Sequence, residues 1–548
     1  MSEFNDVGRF FMCERFMRVW QTFLLMGVLI SILCGCANNQ PKENINDDGS
    51  PGIDHIADIG SLPIDKEINK KERSDGKYTP GEYIFITGRN LKNSKIFIDN
   101  KTVQIEQVLN KGIVIRVPRG LSPSLKHKLK VSNEKGVASE YFYSTHYLIS
   151  TDTDGNNVGF MRTRHDVKGL VEKERIEIEH DRVLFNVISN NGGFAYSLGT
   201  ASKVDYSGRQ GLKYGIGVKT IHLAAPNEPK EVTQQIFPLY SAPTSVSLSS
   251  NNQLIILGKR DISIIDAKNP LKLKFINNFK LPDHGKETTF VDVVFLDDGK
   301  TVVVLDAQYN VISLIDISNP LSPEVMSEEN LFPGIELPMV VDLESDPHND
   351  KKFWVLCGPN FRVASQKAKE LYDRIFHNKE KKQKVDIAEQ LISISIENGV
   401  MSIGSVHKLP EKFAPFFAVF GEDDNIYVSG IKMDILNMDE VGNINKWIKS
   451  LGKMLWNSVA IGRVLKINPN TGKYKSTSKG FGIYYHLVYC KDIGPAFTLL
   501  KLKGTLFPPF VKMSWGVGVK SQGTYAVRSL DKHALFPPYS LGHISFQK

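Results

Sequence analysis

Asp261-Ile-Ser-Ile-Ile-Asp266-Ala-Lys-Asn-Pro270-Leu271 and Asn310-Val-Ile-Ser-Leu-Ile-Asp316-Ile-Ser-Asn-Pro320-Leu321 are two copies of one unit, with Asp266 and Asp316 50 positions apart. A hydrophobic run stands ahead of each copy, Leu254-Ile-Ile-Leu257 and Thr301-Val-Val-Val-Leu305. An uninterrupted apolar run of this length is a strand buried on both faces, and Asp-x-x-Asn-Pro closes the turn after the next strand. A repeat near 50 residues, built from short strands, indicates a β-propeller blade or a related array.

The pattern weakens away from this centre. Ile221-His-Leu-Ala-Ala-Pro226-Asn-Glu-Pro229 reads as a degenerate earlier copy. Ile392-Ser-Ile-Ser-Ile-Glu-Asn-Gly399, Phe417-Ala-Val-Phe-Gly-Glu-Asp-Asp-Asn-Ile-Tyr-Val-Ser429 and Gly462-Arg-Val-Leu-Lys-Ile-Asn-Pro-Asn-Thr-Gly472 read as later strands with polar turns. The aromatic stretch Gly480-Phe-Gly-Ile-Tyr-Tyr-His-Leu-Val-Tyr489 reads as an inner blade strand, or else as a carbohydrate or peptide platform. At ~50 residues per blade, residues 150–548 read as one β-propeller of about seven blades.

Two segments interrupt the strands. Phe361, Ala364, Ala368, Leu371 and Ile375 share one helical face, as do Ile444, Trp447, Ile448, Leu451, Met454, Leu455 and Val459. Helical excursions are therefore expected near 361–384 and 436–460. Residues 362–384 hold eight Lys or Arg against three acids. Lys379, Lys381, Lys382 and Lys384, with Trp447, are candidate contacts for a partner or an anionic membrane. The alternative is two helices packed on the propeller with their lysines in water.

Ahead of the propeller, Tyr83-Ile-Phe-Ile-Thr87, Lys95-Ile-Phe-Ile-Asp99 and Gly112-Ile-Val-Ile-Arg-Val-Pro118 are short β-prone runs. Leu125, His127, Leu129 and Val131 alternate with Lys126, Lys128 and Lys130, a half-buried strand with its lysines in water. Such strands argue for an immunoglobulin-type β-sandwich over 75–148. The expected fold class is thus mainly β, a small immunoglobulin-like sandwich followed by the propeller and its two helical insertions.

Two resemblances sharpen this. Pro80-Gly81, Ile84-Phe-Ile-Thr-Gly88-Arg-Asn90-Leu91, Val117-Pro118 and Val131-Ser-Asn-Glu-Lys-Gly136-Val-Ala-Ser139 resemble the IPT/TIG domain, whose members are usually spacers or adhesion modules. The two blade copies resemble the LVIVD repeat of bacterial cell-surface propellers, over about 253–325.

At the N-terminus, Arg15 and Arg18 precede the apolar run Thr22-Phe-Leu-Leu-Met-Gly-Val-Leu-Ile-Ser-Ile-Leu33, which is short for a membrane span. Leu33-Cys34-Gly35-Cys36 then resembles the lipobox of bacterial lipoproteins. The resemblance implies a signal peptide and lipobox over 1–36, with Cys36 carrying lipid and Ala37 favouring the outer membrane. Residues 37–74, rich in Asn, Asp, Lys and Gly, read as a flexible tether.

The composition is bland. Lys plus Arg number 68 and Asp plus Glu 60, a net +8 over 548 residues that is far from a nucleic-acid-binding excess. Five cysteines are too few for a disulfide scaffold. Cys357 and Cys490 are a candidate disulfide in an envelope compartment, or buried thiols. No P-loop, G-x-S-x-G, H-E-x-x-H or paired C-x-x-C occurs, and no metal or cofactor is expected. The reading that follows is a lipid-anchored, non-catalytic envelope module for a protein or polysaccharide partner, with no enzymatic activity. The alternative is a propeller-based hydrolase or lyase with its site in the central channel. An enzyme requires His, Asp, Arg or Glu side chains converging at the channel mouth, and a binding module an apolar patch on one face.

Overall fold

The computed structural model describes residues 48–59, 76–123, 125–151, 157–163, 170–179, 183–200, 214–224, 229–335, 338–358, 360, 363, 389–410, 413–432, 461–505, 510–519, 523–530 and 543–547. The chain divides into two units, 1–50 with 134–136, and 51–133 with 137–548. Apart from Gly136, the strands described below belong to the second unit. Among the described residues the one helix is a single turn, Asp297–Lys300.

The first architecture is a two-sheet sandwich. One sheet orders β1 (Gly52–Asp58), β3 (Tyr83–Arg89), β7 (Gly112–Arg116) and β6 (Ile105–Leu109). The other orders β2 (Lys77–Tyr78), β9 (Gly136–Ser144), β8 (Lys126–Asn133), β4 (Lys95–Ile98) and β5 (Lys101–Val103). Ile84, Ile86, Ile113 and Ile115 from the first sheet meet Ile96, Ile98, Leu129, Val131 and Phe142 from the second. The alternation along β8 is realised from Lys126 on, with His127, Leu129 and Val131 buried and Lys126 and Lys128 exposed, whereas Leu125 lies ahead of the strand and is exposed. One expectation is corrected. Residues 52–58 lie in the stretch read as tether, yet they pair antiparallel with β3. Ile56 packs into the core between the two sheets and Ala57 is buried on the strand's other face, so this part of the stretch is an edge strand.

The second architecture is a seven-bladed β-propeller. Each blade is a four-stranded antiparallel sheet. Blade 1 orders β37 (Ile544–Phe546), β10 (Tyr147–Thr151), β11 (Asn157–Thr163) and β12 (Leu170–Glu179). Blade 2 holds β13 (Val183–Ile188), β14 (Phe194–Thr200), β15 (Tyr214–His222) and β16 (Lys230–Leu239). Blade 3 holds β17 (Pro243–Leu248), β18 (Gln253–Gly258), β19 (Asp261–Asp266) and β20 (Lys274–Lys280). Blade 4 holds β21 (Phe290–Leu296), β22 (Thr301–Asp306), β23 (Val311–Asp316) and β24 (Glu324–Asn330). Blade 5 holds β25 (Val340–Ser345), β26 (Lys352–Cys357), β27 (Gln390–Glu397) and β28 (Val400–Lys408). Blade 6 holds β29 (Phe413–Phe420), β30 (Ile426–Lys432), β31 (Ile461–Ile467) and β32 (Tyr474–Phe481). Blade 7 holds β33 (Ile483–Cys490), β34 (Gly494–Thr505), β35 (Phe510–Val519) and β36 (Gly523–Leu530).

The first strands of the blades close a ring. β13 touches β17, then β21, β25, β29 and β33 follow in turn, and β37 joins β33 to β13. Blade 1 is therefore completed by a strand from the far end of the chain. The apolar runs explain the stacking. Leu254 and Ile256 of β18 pack towards blade 2, and Ile255 and Leu257 towards blade 4. A strand buried on both faces has no polar side to show, hence the unbroken run. In the repeated turn Asp266 accepts from Lys268 N at 2.9 Å, and Asp316 from Ser318 N at 2.7 Å. The preceding blade grips each turn from its outer strand. Gln235 brackets Leu273 N and O at 2.8 and 2.9 Å, and Asn277 donates to Leu321 O at 3.1 Å.

Antiparallel order fixes two faces. The first-to-second strand turns lie on one face, and the second-to-third connections and blade-to-blade crossings on the other. The expected helical excursions near 361–384 and 436–460 lie, Val363 apart, outside the described residues, between β26 and β27 and between β30 and β31 in the sequence.

The sandwich packs on the opposite face. Arg119 donates to Asn190 O in the β13–β14 turn, and Lys491 in the β33–β34 turn donates to Gly120 O at 2.6 Å.

Candidate active site at the channel mouth

Each inner strand except the short β37 carries a bulge near its start, an extra residue that re-aims the side chains beside it. The residues at this level are Phe185, Ser245, Asp292, Asp342, Phe417 and His486, and His543 stands just ahead of β37. Their equivalence shows in one repeated hydrogen bond. The side chain of one blade accepts the backbone N–H one residue beyond the matching position of the next. Asp292 accepts from Leu343 N at 2.8 Å, and Asp342 from Ala418 N at 2.8 Å. His486 Nδ1 accepts from Ile544 N at 3.4 Å, and His543 Nδ1 from Asn186 N at 3.3 Å.

The physical cause is the free edge of each inner strand. Its outward N–H groups have no ladder partner, and buried donors must be paired. Neighbouring side chains supply the acceptors. The ring divides chemically. On one arc Ser245 donates to Asp292 at 2.9 Å, followed by Asp342 and by Glu344, which accepts from Phe420 N at 3.1 Å. On the other arc Phe417 lies 4.6 Å from His486, His486 3.9 Å from His543, and His543 5.8 Å from Phe185, centroid to centroid.

The protonation of this arc follows from the bonds. An imidazole nitrogen that accepts an N–H carries no proton, so a neutral ring holds its proton on Nε2. Burial drives the His543 imidazolium down to about 3, so this ring is neutral near pH 7. The mouth thus sets carboxylates, which take protons, on one arc and imidazole Nε2–H donors on the other. Among the described residues no three His, Cys, Asp or Glu side chains converge to hold a metal ion.

Of the residues singled out in the sequence, Cys36, Lys379, Lys381, Lys382, Lys384 and Trp447 lie outside the described residues. The candidate disulfide is corrected: Cys357 and Cys490 are two separate buried thiols. Cys357 packs with Val355, Ile312 and Ile392, and Cys490 with Leu148, Met161 and Ile544. They end β26 and β33, in different blades, and burial pushes the Cys357 thiol well up. The aromatic stretch at 480–489 spans the end of β32 and most of the inner strand β33, and β33 brings His486 to the ring. Asp292, Asp342 and His543 were not singled out, because equivalence around a ring leaves no linear motif.

Fold and site together define a seven-bladed β-propeller with acid, imidazole and aromatic side chains at its channel mouth. No family model matches the chain, and the search of curated proteins gave no match. Similar solved structures include a Bacteroides uniformis protein provisionally assigned as a 6-phosphogluconolactonase, 12% identical, TM-score 0.46, covering 73% of this chain and 99% of its own. They also include the periplasmic gluconolactonase PpgL of Pseudomonas aeruginosa, 10% identical, TM-score 0.34, covering 62% of this chain and 96% of its own. Apo AztD of Citrobacter koseri is 10% identical, TM-score 0.37, covering 74% and 99%. Two of the three carry enzyme names. The expectation of a non-catalytic module with no enzymatic activity rests on the lack of a linear motif in the sequence. That expectation is corrected. The lack of a linear motif excluded nothing, because the channel gathers its acids and imidazoles from separate blades.

Proposed function

We propose that the chain is an envelope hydrolase acting on small carbonyl esters, lactones included, at the channel mouth. The observation that carries this reading is the ring itself, with Asp292 and Asp342 on one arc and His486 and His543 on the other. Hydrolysis of an acyl bond needs a group that takes a proton from water and donors that hold the developing oxyanion. Asp342 takes the proton as water attacks the carbonyl carbon. The Nε2–H groups of the imidazole arc meet the oxyanion, and the proton leaves with the departing alkoxide as the acyl C–O bond breaks. Phe185 and Phe417 give the substrate an apolar wall.

The anchoring belongs to the same proposal. Cys36 carries the lipid in the bacterial envelope, and the sandwich is a TIG-type immunoglobulin module between anchor and propeller. The LVIVD-like copies are blades 3 and 4.

The test is turnover of aliphatic lactones, sugar lactones and p-nitrophenyl esters by the purified full chain. Asp342→Asn and His543→Asn keep the acceptor for the neighbouring N–H and remove the proton acceptor or the Nε2 donor. Loss of about 10²-fold or more in kcat/KM is expected for each. Turnover by neither wild type nor variants, or equal turnover by all, overturns the reading.

A further inference from the structure

The connection between β20 and β21, residues 281–289, crosses from blade 3 to blade 4 on the channel-mouth face. His284 within it is held at both ring nitrogens. Its Nδ1 lies 2.7 Å from Asp306 Oδ2, and its Nε2 2.9 Å from Glu328 Oε1. A carboxylate only accepts, and a neutral imidazole has one N–H to give. Two such bonds at once require the imidazolium. Asp306 is fully buried at the end of β22, and its other oxygen accepts from Thr289 N at 3.2 Å and Gln308 N at 3.0 Å. Glu328 on β24 also accepts from Ser313 of β23 at 2.9 Å.

The rest of the connection is arranged around this contact. His284 N donates to Thr288 Oγ1 at 3.0 Å, and Gly285 N to Asp283 Oδ1 at 3.2 Å. Gly285 has φ +153°, and a side chain there would strike the Tyr309 hydroxyl. The groups facing the imidazole are Asp306 from β22, Tyr309 from the β22–β23 turn, Glu328 from β24 and Phe290 from β21. Its own loop adds Asp283, Lys286 and Glu287, and Arg260 reaches across from blade 3 to Lys286 O.

We propose that the His284 imidazolium is a pH-released clip that fastens this connection to blade 4 and so sets the start of β21, the strand carrying Asp292. Losing the proton leaves one nitrogen lone pair facing a carboxylate, so one of the two bonds fails. Asp306 first, and Glu328 after it, hold the imidazole above its ordinary value of 6.5. A group raised on folding contributes fully below its unfolded value and loses that contribution as pH rises through the folded one. The clip therefore holds while the imidazole is charged and both carboxylates are ionised, and it opens as pH rises through the raised folded value of His284.

The experiment uses the full chain labelled with ¹⁵N-histidine, with His284→Gln to identify the resonance. Both ring nitrogens of His284 should be protonated at about pH 7, with release later than for an ordinary histidine. Glu328→Gln should move that release down by about one pH unit, since one charged partner is lost. Exchange of the amides of 284–289, corrected for intrinsic rate, should rise about tenfold between about pH 6 and about pH 9 in wild type, and not in His284→Gln. A singly protonated ring near neutrality, or loop exchange that follows the His284→Gln variant at every pH, overturns the proposal. Neither readout uses turnover, so the clip and the hydrolase reading fail separately.

Discussion

Among the described residues three imidazoles are kept neutral by burial, and each makes the fold less stable in acid. Burial lowers His146 and His222 to about 4, and His543 to about 3. In each case the folded value lies below the unfolded one, so between about 6.5 and about 4 the unfolded chain binds more protons and stability falls as pH falls. One such group contributes a slope of about 1.4 kcal/mol per pH unit, and the three together about 4. His146 is the one to remove. Its Nδ1 donates to Gln547 O at 2.6 Å and its Nε2 accepts from Ser144 at 3.0 Å, so the proton sits on Nδ1. Asparagine offers a donor at the Nδ1 place and does not titrate. His146→Asn should lower the slope of stability against pH by about 1.4 kcal/mol per pH unit, read from urea midpoints between about pH 4 and about pH 7. An unchanged slope would mean that His146 is not buried in its neutral form.

At the scale of elements, the shortest described strand of the propeller closes it. β37 has three residues, yet it supplies the inner strand of blade 1 and touches the inner strands on both sides. Gln547 follows it and fixes the joint. Its side chain accepts from Tyr147 N at 3.0 Å and donates to Pro80 O at 3.1 Å and Gly192 O at 2.6 Å. Gln547→Ala leaves three buried backbone groups unpaired, and at ~1–3 kcal/mol for each uncompensated group a loss of about 3 kcal/mol is expected. Denaturant melts of the two chains measure it, and a loss below about 0.5 kcal/mol would mean that water replaces the amide. Blades 3 and 4 were legible in the sequence because each inserts an unbroken apolar run and an Asp-x-x-Asn-Pro turn between neighbours. β37 was not legible, since Ile544-Ser-Phe546 is too short to carry a period. The ring was legible only where it crosses the aromatic strand at 480–489. Asp292 and Asp342 sit in ordinary strands, and only closure of the circle shows that they share a level with His486 and His543.

Across the whole molecule, the sandwich and the propeller meet through close backbone and through side chains that bond to it. Gly81 has φ +84°, and a side chain there would lie 2.6 Å from Asn191 O and from Gly193 Cα in the β13–β14 turn. Tyr147 N, Pro80 O and Gly192 O, from the two architectures, share the Gln547 amide. On the second strand of the joint, Thr145 N donates to Tyr78 O at 2.9 Å and Arg162 donates to the Thr145 hydroxyl at 2.8 Å. Two domains linked only by a hinge unfold independently, whereas these two share buried hydrogen bonds that neither keeps without the other. Calorimetry of the wild-type chain should therefore show the sandwich melting together with blades 1, 2 and 7. Gly81→Ala adds a methyl where backbone stands and forces a φ that alanine resists, for a cost of about 1–2 kcal/mol before any clash. Because the clash falls on the joint and outside both cores, this variant should separate the endotherm into two transitions while leaving the sandwich's own strands folded. A single transition in Gly81→Ala, merely lowered in temperature, would mean that the joint yields without parting and that contacts beyond these glycines hold the two architectures together.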